Sequence, residues 1–424
     1  MRTDGKRARN VSFLKSALSC GFSFVLLAAC ADDGGPEQLT AGGPEIGEGD
    51  RDAGDGATAP DTGTPDVAAP DAGRMHRPWD GGEELAVAHR IWAGGDMTCA
   101  RVETSAGMTT KCWGDNRSGQ LGRGEISAQG ETFVPQDILS DDAASIRGLA
   151  TVIDTSVVPS RARTCAILES NELKCWGAIL GSNAPVLAPP ATAFRDDVDQ
   201  VTMSSISACM RLTNGRVGCW GANSYGQLGI GTRDDVFHAE PMEIPKFEAS
   251  QIASGTTMTC ALQAGKVWCW GLGYGNSPMQ TTKMEALSDV VQIAAASSGT
   301  CALASDHTVW CWNTFYEPAR LLDPTPSEPA RWLADIEEIA MDANTLYART
   351  KDGVVKSRAV FGVTTAFIPV DGIEDAVALA VGRVHQCALL KDGVVRCWGN
   401  NAYGQLGVSP SLVTNSPLPQ RVWF

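Results

Sequence analysis

The chain has 424 residues, among them 14 cysteines and 45 glycines, and a formal net charge of −15. That acidity excludes nucleic acid as the partner, because a phosphate backbone needs a basic surface. So many cysteines are out of place in a reducing cytosol, and an oxidising compartment is expected.

Residues 1–29 read as a signal peptide. Arg2, Lys6, Arg7, Arg9 and Lys15 form a positive leader, and the apolar run Ser16–Ala29 that follows is 14 residues long. A run of that length is too short to span a bilayer. It ends Leu27-Ala28-Ala29-Cys30, which resembles a bacterial lipoprotein signal. The resemblance implies that Cys30 becomes the lipidated N-terminus. An acyl chain anchors without a spanning helix, each buried methylene contributing about 0.8 kcal/mol. The expected location is the cell envelope, on a membrane outside the cytoplasm, with the outer membrane or a periplasm-facing leaflet the expected site. Contact with the membrane is expected through this anchor only.

Residues 30–84 form the next segment. They are rich in Gly, Pro, Asp, Ala and Thr, and 31–84 holds 14 acidic against 3 basic side chains. Such a composition cannot bury enough apolar surface to offset chain entropy, so a disordered acidic tether is expected. Most of the chain's acidity lies there, which leaves 85–424 mildly acidic.

Residues 85–424 repeat themselves. One unit runs from Cys387 through Cys397-Trp398-Gly399 to Gly404-Gln405-Leu406-Gly407. Others run from Cys99 through Cys112-Trp113-Gly114 to Gly119-Gln120-Leu121-Gly122, and from Cys209 through Cys219-Trp220-Gly221 to Gly226-Gln227-Leu228-Gly229. Shorter versions centre on Trp176, Trp270 and Trp312, and a degenerate one runs from Tyr347 to Ser357. Seven units, mostly about 40–50 residues apart, with short strands and Gly-rich turns, predict an all-β propeller rather than a helical solenoid.

Twelve cysteines fall into six pairs within units: Cys99/Cys112, Cys165/Cys175, Cys209/Cys219, Cys260/Cys269, Cys301/Cys311 and Cys387/Cys397. The degenerate unit lacks both members, with Tyr347 and Ser357 in their places. If Cys387 faces Cys397, the hairpin loop is Lys391-Asp392-Gly393, and a loop of this length wants a left-handed residue last. The same register gives Thr213-Asn214-Gly215, Lys351-Asp352-Gly353, Glu169-Ser170-Asn171 and the poorer fit Ser305-Asp306-His307. Cys260/Cys269 needs the shorter loop Ala264-Gly265. Opposed residues lie within disulfide reach. A metal reading of these cysteines would want a C-x₂₋₄-C knuckle, and none is present. Disulfides are therefore expected, with no metal and no cofactor.

The pattern C-A-L-x-x-D-G-x-V-x-C-W-G-x-N-x-x-G-Q-L-G resembles the repeat of the regulator of chromosome condensation family. The resemblance covers 85–424 and implies a seven-bladed propeller of four-stranded blades. It suggests that the strand-like end, Pro417–Val422, completes the first blade and closes the ring. The family's G-x-x-H-[ST] stretch survives only around His385, so the founder's nucleotide-exchange activity is not carried over. A weaker likeness of D-G-x-V-x-C-W to the Asp-box of sialidase-type propellers would imply six blades and glycan hydrolysis.

The recurring Trp113, Trp176, Trp220, Trp270, Trp312 and Trp398 invite a stacking role, but each follows a strand Cys, and packing between blades is the expected role. The Gly-Gln-Leu-Gly segments lack the Lys of a phosphate loop and are expected to be structural turns. No catalytic motif appears around His76, His89, His238, His307 or His385, and no catalytic residues are assigned. The reading is a non-catalytic, monomeric binding module. It takes a protein or glycan through the loops 115–144, 178–200 and 222–245 at one propeller end. The alternatives are an inhibitor of a secreted enzyme and a sialidase-like hydrolase.

Overall fold

The computed structural model describes residues 86–424, apart from 155–159, 181–183, 191, 280–286, 288, 297–298, 314–319, 322–334 and 361–366. Cys30 and the segments assigned to signal and tether lie outside the described residues. Strand is the dominant element, and the described residues form seven antiparallel sheets. The innermost strands are Val87–Gly94, Ile146–Asp154, Val198–Met203, Gln251–Ser254, Val290–Ala296, Ile336–Met341 and Ala376–Val381. Each adjoins the next, and the last adjoins the first, so the sheets form the blades of a closed seven-bladed propeller, numbered here in chain order. The six-bladed alternative is thereby excluded.

Six blades have four strands and blade 2 has three. In blade 2 the outer position is taken by isolated bridges, Leu173 to Arg195 and Gly177 to Val186. Several other outer strands are only a residue pair, as with Gln136–Asp137, Arg320–Leu321 and Ile368–Pro369.

All six cysteine pairs are joined, with sequence separations of 9 to 13. Each pair sits directly opposed on the second and third strands of its blade, as Cys387 faces Cys397, Cys260 faces Cys269 and Cys165 faces Cys175. The six pairs expected from the sequence are all present, and they differ in burial. Eleven of these cysteines are buried, whereas Cys175 is only partly buried. It lies between the two isolated bridges of blade 2, where no continuous fourth strand covers the third. In blade 6 Tyr347 faces Ser357 at the cysteine positions. The loop register follows. Gly393 closes its hairpin at φ 81°. Asn171 and His307 take the same left-handed conformation at φ 69° and 68°. Asn and His are both among the non-Gly residues that enter this region most readily.

The end of the chain does not complete blade 1. Asn415–Arg421 pairs with Val395–Asn400 as the outer strand of blade 7. Blade 1 has its own inner strand, Val87–Gly94, paired along Met97–Thr104. Each blade thus takes its strands from consecutive sequence. The ring closes by side-by-side packing, with a backbone bond from Ala88 N–H to the Gly393 carbonyl at 3.1 Å. The core is correspondingly divided, one apolar cluster per junction between blades.

Candidate binding end

The tryptophans pack between blades as the sequence suggested. Trp113, Trp176 and Trp270 are fully buried, and Trp220, Trp312 and Trp398 nearly so. Three of them also identify the work of the Gly-Gln-Leu-Gly turns. The Gln120 carbonyl accepts the indole N–H of Trp176 from the next blade at 2.9 Å. Gln227 does the same for Trp270 at 3.0 Å, and Gln405 for Trp113 at 3.0 Å across the ring closure. Thr164 and Thr98 add their hydroxyls to the carbonyls of Gln120 and Gln405. The turn is shaped from within: the side chain of Asn116, Asn223 or Asn401 accepts the Leu N–H of its own segment. The last Gly of the segment is required by close approach. A Cβ on Gly122 would lie 2.9 Å from the Trp176 Nε1, and one on Gly229 2.8 Å from that of Trp270.

A second set of junction contacts runs around the inner strands. Gln200, Gln251 and Gln292 each give and receive a bond with the next blade's backbone, at Ile252, Ile293 and Ile339. Glu338 accepts Leu379 N–H at 3.3 Å, Arg147 donates to the Val198 carbonyl, and Arg90 donates to the Arg147 carbonyl. Sequence reading missed these residues. The signal was present: Arg90, Gln200, Gln251, Gln292 and Glu338 each lie nine places before the first Cys position of their unit.

The inner strands surround a cavity of about 350 Å³ whose wall draws on all seven blades. Its mouth lies at the end where strands one and two of each blade turn, beside Gly95, Ser204, Thr256, Asp342 and Arg383. The connections from third to fourth strands emerge at this same end, because antiparallel strands alternate direction. Arg383 of blade 7 grips Asp96 of blade 1 there with two bonds, 3.2 and 2.8 Å. Burial holds the Asp96 carboxyl above its usual range in spite of this partner. Arg163 is buried at the junction of blades 2 and 3. Its Nη2 donates to the Ser205 carbonyl at 2.7 Å, while Nε and Nη1 have no acceptor among the described residues. Burial pulls this guanidinium down to about 10.

His385 is fully buried at the closure. Its Nε2 lies 2.8 Å from Thr98 Oγ1, whose single hydroxyl proton goes to the Gln405 carbonyl, so the ring donates through Nε2. Nδ1 has no partner. Burial depresses this imidazole to about 3.

Two of the three loops singled out in the sequence do lie at this end. Loop 115–144 of blade 1 touches both neighbours: Gln129 donates to the Ala402 carbonyl of blade 7, and Gly124 N–H to the Leu187 carbonyl of blade 2. Arg117 pairs with Asp115 at 2.9 Å and stacks on Tyr403 of blade 7 at 4.4 Å. The third, 222–245, is not mainly loop. Its second half belongs to a 15-residue outer strand of blade 3, Asp234–Glu248, paired with Arg216–Asn223 through repeated register shifts. Pro241, Pro245 and the dense acids hide its strand character in the sequence. Among the described residues no group of three or more His, Cys, Asp or Glu is arranged to hold a metal. The paired cysteines are not free thiolates.

The sequence model of the regulator of chromosome condensation (RCC1) repeat matches residues 214–262 and 376–405. The chain is 31% identical over 228 residues to the mitochondrial RCC1 domain-containing protein RUG3 of Arabidopsis thaliana, covering 47% of this chain and 48% of that protein. It is 27% identical over 243 residues to the ultraviolet-B receptor UVR8 of the same plant, covering 51% of each. The chain thus spans about half the length of these curated relatives. Among solved structures, human WBSCR16 superposes with a TM-score of 0.61 at 17% identity, over 74% of this chain and 93% of that one. Prp20p of Saccharomyces cerevisiae gives 0.59 at 18%, over 80% and 87%; its structure is described together with binding to Gsp1p and histones. At this identity the superpositions establish the shared propeller fold.

Proposed function

We propose that this chain, which carries RCC1 repeats on a seven-bladed propeller, is a non-catalytic binding module that engages a protein at its loop-bearing end. The supporting observation is the interlocking of loops from blades 7, 1 and 2 at the propeller end where the cavity opens. Held by Arg117 on Tyr403, Gln129 on Ala402 and Gly124 on Leu187, they form a preordered platform. A surface ordered before contact loses less entropy on binding. Two similar proteins, the receptor UVR8 and Prp20p with its described binding to Gsp1p and histones, point the same way. The module is held at the cell envelope by lipid on Cys30 and works as a monomer.

The test is affinity capture from envelope and medium fractions with the full chain. The matched control carries Gln129→Ala and Arg117→Ala. A protein partner retained by the wild type and lost from the control supports the reading, and capture indifferent to the platform counts against it. Mass spectrometry of the mature N-terminus checks the anchor: an acylated Cys30 is expected, and a Cys30→Ser chain is expected in the soluble fraction. An inhibitor of a secreted enzyme would use the same end, and enzyme assays with the added chain distinguish it. The hydrolase alternative needs converging arginines and a tyrosine nucleophile. The described cavity wall has one arginine, Arg383, and no tyrosine.

A further inference from the structure

The outer strand of blade 3 carries an unusual projection at the loop-bearing end. Asn223 faces Asp234 and Gly221 faces His238, so only Ala222 stands opposite Asp235, Val236 and Phe237. The extra residues are pushed out of the ladder. Val236 is 61% exposed and Phe237 39%. Tyr225, in the turn of the same blade, is 40% exposed.

The projection is built rather than loose. Asp234 Oδ1 accepts the Val236 N–H at 3.1 Å and lies 2.9 Å from His238 Nε2. Its Oδ2 accepts the amide of the fully buried Asn223 at 3.0 Å. Arg233 ties the adjoining turn by donating to the Ser224 carbonyl at 3.0 Å. An apolar tip held at both ends by hydrogen bonds keeps large side chains in water at little further ordering cost on contact. Exposed apolar residues mark an interaction surface when they cluster, and Val236 and Phe237 are adjacent in the chain.

The flanks are acidic. Asp235 and Glu240 are exposed and make no ion pair among the described residues, whereas Glu243 is paired with Arg195 and Arg216. The strand's outer edge is a poor template for adding a strand, since Pro241 and Pro245 remove donors and its register shifts repeatedly. A partner therefore meets side chains here rather than backbone.

We infer that the Asp235–Phe237 projection of blade 3 is a docking surface for a cationic, apolar segment of a partner protein, with Val236 and Phe237 as anchors and Asp235 and Glu240 supplying the charge match. This rests on the binding-module reading and names one surface and partner chemistry within it.

The test uses the full chain and three ten-residue probe peptides with the same leucines, alternating with lysine, glutamine or glutamate. Affinities are measured at low and moderate salt. The lysine peptide is expected to bind at least tenfold more tightly than the other two. Val236→Ser with Phe237→Ser leaves the charge unchanged and should weaken it tenfold or more. Asp235→Asn with Glu240→Gln should weaken it severalfold and flatten the salt dependence. Leu412→Ser, at an exposed leucine on blade 7, should change nothing. Melting curves check that the variants stay folded. Equal binding by wild type and the Val236/Phe237 variant overturns the surface, because charge alone then explains the affinity. Failure of all three peptides to bind overturns it too. Self-association of the wild type that the same variant abolishes overturns it in favour of a second copy. In each of these outcomes, envelope capture through the platform loops still tests the broader reading separately.

Discussion

Single side chains at the ring closure determine how this fold responds to acid. His385 is buried neutral, and the bare Nδ1 leaves a second proton without an acceptor. Its imidazole titrates near 3 when folded against about 6.5 when exposed. A depressed histidine contributes fully above its unfolded value, and that contribution falls away as pH drops from about 6.5 toward 3. Asp96 runs the other way: its raised carboxyl disfavours the fold while ionised, and acid relieves it. The melting temperature is expected to fall between pH 7 and 4, and His385→Gln should flatten the slope. An unchanged slope in that variant would place the acid sensitivity elsewhere. The same scale governs Gly122. At φ 72° and 2.9 Å from an indole nitrogen, Gly122→Ala is expected to cost about 1–3 kcal/mol. Gly148→Ala, where the nearest atoms are 3.7 Å away, serves as the mild comparison in a denaturant titration.

The blades differ as elements in how they are held. Trp176 gives its N–H to the Gln120 carbonyl, whereas the buried Nε1 of Trp312 meets no backbone acceptor among the described residues and has only a poorly aligned contact with the Tyr274 hydroxyl. Trp176→Phe should therefore cost about 1 kcal/mol more than Trp312→Phe, the worth of one hydrogen bond beyond shared packing. Denaturation midpoints of the two variants measure this. Removing one sulfur pair, as in Cys301→Ala with Cys311→Ala, is expected to cost roughly 2–3 kcal/mol, because the closed loop is short. Hairpins of this kind were legible in the sequence. Two cysteines about ten apart with a left-handed residue between them fix a register, and Tyr347 with Ser357 confirmed it by substitution in step. The outer strands were not legible. A two-residue strand such as Gln136–Asp137 carries no alternation, and the prolines and acids of Asp234–Glu248 mask its strand pattern. The partial exposure of Cys175 escaped for the same reason, since it depends on what the outer edge of blade 2 lacks. The motif of the final strand says nothing of which edge it pairs with, so its place in blade 7 is not legible in the sequence. Of the candidate site, the tryptophans and two loops could be read. The Asp96–Arg383 pair could not, since it joins positions nearly three hundred residues apart.

At the scale of the whole molecule the ring is unevenly fastened. Indole-to-carbonyl clasps bind blade 7 to 1, 1 to 2 and 3 to 4, the junctions that follow complete repeats. Among the described residues no such clasp joins blades 4, 5 and 6, which rely on packing, the inner-strand amides Gln251 and Gln292, the Val290 N–H on the Gly265 carbonyl and the His307 ring on the Ile336 carbonyl. Blade 6 also lacks a sulfur pair. Local opening is expected to begin where such fastening is sparse. Amide hydrogen exchange should be fastest in the hairpins of blades 5 and 6 and slowest around Trp113 and Trp176. Uniform protection around the ring would show that packing alone sets local stability. The sulfur bonds carry a different consequence, for the order of assembly. Each one closes within its own hairpin, 9 to 13 residues apart, and none crosses from blade to blade. A nascent chain can seal every hairpin as it forms, before the circle exists, so oxidation has little opportunity to trap distant stretches in the wrong partnership.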